Sequence, residues 1–338
     1  MAEANVSARV AELAAAVRSG SRRHLARAIT LVESSRVEDR AEARHLLTLL
    51  RDGHDDAVRV GITGVPGAGK STLIDALGVR LVDAGHKVAV LAVDPSSTRT
   101  GGSILGDRTR MGELAARDEA FIRPSPSGNH LGGVARATRE SMLLAEAAGY
   151  DVILVETVGV GQSEVAVAGM VDTFLLVTLA RAGDQLQGIK RGILEMAELI
   201  TVNKSDGDNE MASRLAARDL RTAIKLITAD PAARRPPVIN TSSYTGLGLD
   251  ELWQAVLEHR AYLEQSGGLL RRRAEQQRDW MWSLIDDELV EAVRQCPAVK
   301  SRRGELETAV MGGELSAVEA AQTVLASFAA NVPTAWQT

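Results

Sequence analysis

The chain has 338 residues, a formal net charge of −5 and an apolar fraction of 45%, which suffices for one large α/β domain with helical additions or two modest domains. The acidic balance argues against a nucleic-acid partner held by its backbone, since such binding requires a cationic surface to displace counterions. Cys296 is the only cysteine, which excludes an internal disulfide or a cysteine-rich metal site within one chain. The opening Met1-Ala2-Glu3-Ala4-Asn5 lacks a secretion profile and no apolar run reaches the ~18 residues of a membrane span, so a soluble, cytoplasmic protein without a membrane partner is expected.

Residues 6–52 read as helices. Val10, Leu13, Ala14 and Val17 fall at helical spacing, followed by stretches at 25–32 and 41–50, with Gly20 and Gly53 as punctuation. From Val58 the pattern changes to short β-branched runs alternating with longer helical stretches, the signature of βαβ units and a parallel sheet. Strands are expected at 58–63, 87–93, 120–123, 151–156, 173–178, 199–203 and 238–241. The long ones end in polar residues, and ligands of open α/β sheets bind outside the carboxyl ends of the strands.

The first strand runs into Gly64-Val65-Pro66-Gly67-Ala68-Gly69-Lys70-Ser71, a complete P-loop pattern placed before a helix starting near Ser71. Its glycines allow backbone N–H groups to turn inward on phosphates, and the helix N-terminus presents its positive dipole end to the same anion. Lys70 suits the β- and γ-phosphates, the Ser71 hydroxyl suits Mg²⁺, and Thr72 continues the phosphate contacts.

Asp94 ends the second strand and Glu156 a later one, so both carboxylates face the phosphate end as candidate oxygen ligands for Mg²⁺, directly or through water. Gly159 stands at a distance typical of a loop whose backbone N–H meets the γ-phosphate, which makes 157–164 a candidate switch. Gln162 is a candidate for orienting the attacking water, with loop packing as the other reading.

Asn203-Lys204-Ser205-Asp206 closes a further strand in a guanine-reading pattern. A carboxylate at Asp206 can accept from guanine N1–H and N2–H₂, two donors that adenine does not offer on one edge. By itself the tetrad is also explained by a polar helix cap. About 35 residues further on, Asn240-Thr241-Ser242-Ser243-Tyr244 ends the next strand before Gly246, and the backbone N–H groups of Ser242, Ser243 and Tyr244 could bind guanine O6. Two base-reading loops in order behind a P-loop predict a GTP/GDP site.

The strands cease after about Leu263, Ser266-Gly267-Gly268 breaks the chain, and helices are expected to about Ala330, with Ser316 and Glu319 as a capping box for the last. Arg271-Arg272-Arg273, with Glu275 close by, reads as a solvated helix face. The expected fold class is therefore α/β, a P-loop NTPase with a mostly parallel sheet flanked by helices. The expected organisation is an N-terminal helical extension at 1–52, a nucleotide domain at 53–262 and a C-terminal helical arm at 263–338.

The chain resembles the MeaB/ArgK family of GTPases associated with methylmalonyl-CoA mutase, over nearly its whole length. The family-specific strings are Val93-Asp94-Pro95-Ser96-Ser97, Thr100-Gly101-Gly102-Ser103-Ile104-Leu105-Gly106-Asp107, Leu131-Gly132-Gly133-Val134-Ala135 and Glu156-Thr157-Val158-Gly159-Val160-Gly161-Gln162-Ser163-Glu164. The resemblance implies a G-protein chaperone that docks on a cobalamin-dependent acyl-CoA mutase and gates loading of adenosylcobalamin. It also implies a homodimer joined through the C-terminal arm, metal or switch roles for Asp94, Asp107 and Glu156, and an additional partner-sensing switch at 180–190.

Three other readings compete. A nickel-insertion GTPase shares the P-loop and sheet, but the six histidines are scattered and no metal-holding cluster is evident. A transport-linked kinase is opposed by the guanine tetrad. A helical interaction protein with a silent nucleotide site is opposed by the intact Lys70 and Ser71.

Overall fold

The computed structural model describes residues 2–34, 36–51, 56–93, 111–124, 131–157, 163–180, 191–228, 230 and 234–332. Two compact units divide at Gln276 and Gln277.

The first unit holds a seven-stranded, all-parallel sheet. Its strands are β1 (Val58–Gly64), β2 (Val88–Val93), β3 (Ala120–Arg123), β4 (Val152–Thr157), β5 (Thr173–Leu179), β6 (Leu199–Asn203) and β7 (Val238–Asn240), in the order β3-β2-β4-β1-β5-β6-β7. All seven expected strands form, with ends shifted by no more than a residue. β1, β2 and β4 are buried along their whole length, because a parallel sheet covered on both faces requires continuous apolar runs rather than alternation.

Alternate residues separate the two faces. Val60 and Ile62 of β1 and Leu175 and Val177 of β5 pack with the helices Lys70–Asp83 and Leu249–Gln265. On the opposite face Ile153, Val155 and Phe174 pack with the helix Leu131–Ala147 and with the N-terminal helices Ala2–Arg18, Arg22–Glu33 and Val37–Leu49. Val10, Leu25, Ile29 and Leu46 sit in that core at 1% exposure or less, so the N-terminal helices share one core with the sheet. Gly61 is required for this packing: a Cβ there would lie 2.8 Å from Val167, on the short helix Ser163–Ala168.

β1 lies between β4 and β5: the chain leaves β1 for β2 on one side and, after β4, crosses over to β5 on the other. That reversal opens a crevice at the carboxyl ends of β1, β4 and β5.

The arginine run is corrected by the structure. Arg271 is exposed, but Arg273 is buried, its Nε donating to Asp172 Oδ1 at 2.9 Å and a second nitrogen to the Ala57 carbonyl at 2.8 Å. Arg272 pairs with Glu198 at 2.7 Å, and Gln276 donates to the Val171 carbonyl at 2.8 Å. Charge alone made this run look solvated, yet its first helical turns cover the amino-terminal edge of the sheet, where Asp172 needs a cation.

The second unit is helical. It contains the later part of the helix Gly268–Gln295, then Pro297–Met311 and Ala317–Ala329. Ser316 and Glu319 form the expected capping box, the Ser316 hydroxyl accepting from the Glu319 N–H at 3.2 Å and the Glu319 carboxylate from the Ser316 N–H at 3.0 Å. Met281, Trp282, Ile285 and Leu289 are exposed at helical spacing, and Cys296 is buried. Among the described residues no helix is long and apolar enough to cross a membrane.

Candidate nucleotide site

The loop after β1 is shaped by positions that only glycine fills without strain. A Cβ on Gly64 would lie 2.0 Å from the Val177 carbonyl oxygen of β5, and Gly67 and Gly69 have φ of 80° and 85°. The helix Lys70–Asp83 therefore starts from a left-handed Gly69, with no side-chain cap and no acid in its first turn. Its leading N–H groups face the loop, an arrangement that suits an anion.

Lys70 is 8% exposed and its Nζ donates to the Gly64 carbonyl at 2.9 Å, folding the ammonium back across the loop. Burial pushes it below the usual lysine range, while the charges of Glu156 and then Glu164 raise it. The Ser71 hydroxyl donates to Glu156 Oε1 at 2.8 Å, and Glu156 is buried at the end of β4.

This pair fits a hard divalent cation: a hydroxyl and a carboxylate oxygen, already converged, beside a phosphate-shaped loop. Among the described residues no three His, Cys, Asp or Glu side chains come together, so Ser71 and Glu156 are the donors on offer there. Asp94, Asp107, Gly159 and Gln162 lie outside the described residues, as does 181–190 of the candidate additional switch.

The base-reading loops meet the phosphate loop through one side chain. Asn203 is 1% exposed at the end of β6, and its Nδ2 donates to the Ala68 carbonyl at 2.9 Å. Its Oδ1 accepts from Thr241 Oγ1 at 3.3 Å and Ser243 Oγ at 3.2 Å. A Cβ on Gly69 would lie 2.9 Å from Asn203 Nδ2 and 3.6 Å from Lys204 Cε, so both residues lie against the P-loop. Lys204 holds φ of 58°, the left-handed conformation that costs a non-glycine residue of order 1 kcal/mol or more.

Two further bonds tie the base loops together. The Ser205 N–H donates to the Thr241 carbonyl at 2.9 Å, and Asn240 Nδ2 donates to Ser205 Oγ at 3.2 Å. Asp206 follows in extended conformation, partly exposed. The Ser242 amide donates to the Leu247 carbonyl at 2.9 Å, which leaves Ser243 and Tyr244 as the tip of the loop, with Tyr244 92% exposed. The structure thus brings Asn203 and Lys204 against the P-loop, Ser243 onto Asn203 and Glu156 onto Ser71, with Asp206 and Tyr244 following on the same two base loops.

Sequence reasoning left one buried acid without a role. Glu164, quoted only within a family string, opens the helix Ser163–Ala168 at 1% exposure, and its charge reaches Lys70. Its position just behind a strand that ends in a candidate ligand was the available signal.

The chain is similar to known proteins over most of its length. Residues 25–298 match the family described as methylmalonyl Co-A mutase-associated GTPase MeaB. A protein of Mycobacterium tuberculosis named probable GTPase is 58% identical over 313 residues, 93% of each chain. The mitochondrial methylmalonic aciduria type A homolog of Mus musculus is 45% identical over 319 residues, 91% of this chain and 77% of that protein. A crystal structure named LAO/AO transport system kinase superposes with a TM-score of 0.72 at 37% identity, covering 94% of this chain and 96% of that one.

Proposed function

The chain belongs to the MeaB family of methylmalonyl-CoA mutase-associated GTPases, and we propose that it binds and hydrolyses GTP to gate adenosylcobalamin loading of a cobalamin-dependent acyl-CoA mutase. Methylmalonyl-CoA mutase or a close relative is the proposed client. The observation that carries the nucleotide reading is the Asn203 side chain on the Ala68 carbonyl, which supports taking the base loop and the phosphate loop as walls of one site.

In this reading the inward amides of 65–72 bind the phosphates, and Lys70 exchanges the Gly64 carbonyl for the β- and γ-phosphate oxygens. Ser71 and Glu156, with Asp94 and Asp107, would hold Mg²⁺, which would supply neutralisation of charge on the transferred phosphoryl group. Water attacks the γ-phosphorus, the bond to the β–γ bridging oxygen breaks, and GDP and phosphate leave. Gln162 is assigned to hold that water and the Gly159 amide to sense the γ-phosphate; loss of that phosphate then releases 157–164 to report to the partner.

Asp206 reads guanine N1–H and N2–H₂, and the amides of Ser243 and Tyr244 receive O6, with Ser242 holding the turn. A kinase using ATP would leave Asp206 facing no donor pair. The exposed stripe Met281, Trp282, Ile285 and Leu289 supports homodimer formation through the helical arm. A cytoplasmic location is part of the same proposal.

Exchanging Asp206→Asn tests the base reading. Affinity should pass from guanosine to xanthosine triphosphate, because the amide presents a donor where the carboxylate accepts; an unchanged preference for GTP would refute it. Co-purification with a cobalamin-dependent mutase, with and without a non-hydrolysed GTP analogue, tests the client.

A further inference from the structure

Neither carboxylate oxygen of Glu164 has a hydrogen-bond partner among the described residues, nor does the hydroxyl of Ser163 before it, at 0% exposure. A carboxylate offers about four acceptor positions, and burial without donors forfeits the water that filled them, so such a group calls for a ligand, an ion or trapped water. Three other buried acids of this unit are covered by arginine: Glu146 by Arg59 at 2.5 Å, Glu140 by Arg136 at 2.9 Å and Asp172 by Arg273 at 2.9 Å. The charge of Glu164 instead falls on Lys70, alongside that of Glu156.

Two carboxylates therefore act on the ammonium beside Ser71, and only Glu156 is engaged by that hydroxyl. A nucleotide triphosphate brings roughly four more negative charges to the same place, which one buried lysine cannot balance. Magnesium keeps several of its waters when it binds protein, and those polarised waters need acceptors. We propose that Glu164 is an outer-sphere anchor of the cation site, its oxygens accepting hydrogen bonds from waters on the metal that Ser71 and Glu156 contact. This rests on the reading of the crevice as a magnesium–GTP site.

Glu164→Gln keeps the shape and removes the charge. In the full chain, Mg²⁺ is titrated against binding of a fluorescent methylanthraniloyl-GTP, and bound Mn²⁺ is counted by electron paramagnetic resonance. The metal midpoint should rise roughly tenfold, as outer-shell losses do. Affinity for the analogue in EDTA should hold or tighten, since a charge facing the phosphates is gone, and the nucleotide-free melting temperature should hold or rise. An unchanged metal midpoint overturns the proposal, and so does a shifted midpoint accompanied by a lower nucleotide-free melting temperature, the mark of a merely structural acid. A wild-type chain that binds no analogue at any metal concentration would instead sink the GTP-site reading, and this role with it.

Discussion

Asn203→Ala removes the side chain through which three loops meet. The Ala68 carbonyl, between Gly67 and Gly69, loses its donor at 2.9 Å, and the Thr241 and Ser243 hydroxyls lose an acceptor at 3.3 and 3.2 Å. Thr241 retains Thr201 at 2.7 Å, so the uncompensated loss is mainly at Ala68, with a desolvation penalty of about 1–3 kcal/mol. At ~1.4 kcal/mol per tenfold, nucleotide affinity should fall roughly 5- to 150-fold. GTP and GDP should lose the same factor, because the base and the first phosphates are common to both. Calorimetric titration of each nucleotide, with circular dichroism to verify folding, reads the effect. A loss below about threefold, or a loss confined to GTP, would refute the idea that Asn203 joins base and phosphate recognition.

Lys70→Ala should behave in the opposite way, weakening GTP far more than GDP because the ammonium serves the terminal phosphates; equal losses in the same titration would contradict its role. Arg273→Met leaves Asp172 buried at 1% exposure without its cation and should destabilise the fold by about 3–5 kcal/mol, roughly 10 °C in melting temperature. Adding Asp172→Leu should recover most of that loss in the same thermal scan. His259, 2% exposed and bonded through Nδ1 to Thr173 at 2.8 Å, has its pKa lowered to about 4 by burial first and then by Arg234 and Arg272. The neutral ring is favoured in the fold, so its contribution is complete above about pH 6.5 and is lost as pH falls toward 4, up to about 3 kcal/mol in total. His259→Gln should flatten that stretch of the stability curve; an unaltered pH dependence would argue against it.

The strands were legible because a doubly covered parallel sheet permits little besides Val, Ile, Leu and Ala, as in Val88–Val93, and both nucleotide loops were legible because they obey fixed spacing at strand ends. The N-terminal helices were legible by period, but periodicity could not tell that Leu25 and Ile29 share a core with Phe174 of β5. The arginine run was misread for a similar reason. Burial of Arg273 depends on Asp172, about a hundred residues earlier, and sequence pattern carries no information about that meeting. Glu164 was hidden by its position: an acid in the first turn of a helix usually faces water, whereas this one is 1% exposed on a helix whose Val167 packs against Gly61.

The fastening of the helix Gly268–Gln295 has a practical corollary. Its opening turns are tied through Arg272, Arg273 and Gln276 to Val171, Asp172 and Glu198, and Arg139 joins the Gln276 carbonyl at 2.8 Å to the Gly169 carbonyl at 2.6 Å. Shortening the polypeptide at the visible Ser266-Gly267-Gly268 break would strand an acid in the interior and uncap the start of β1, whereas ending it just past Gln276 keeps every one of those ties. The natural place to sever this protein is therefore partway along an unbroken helix.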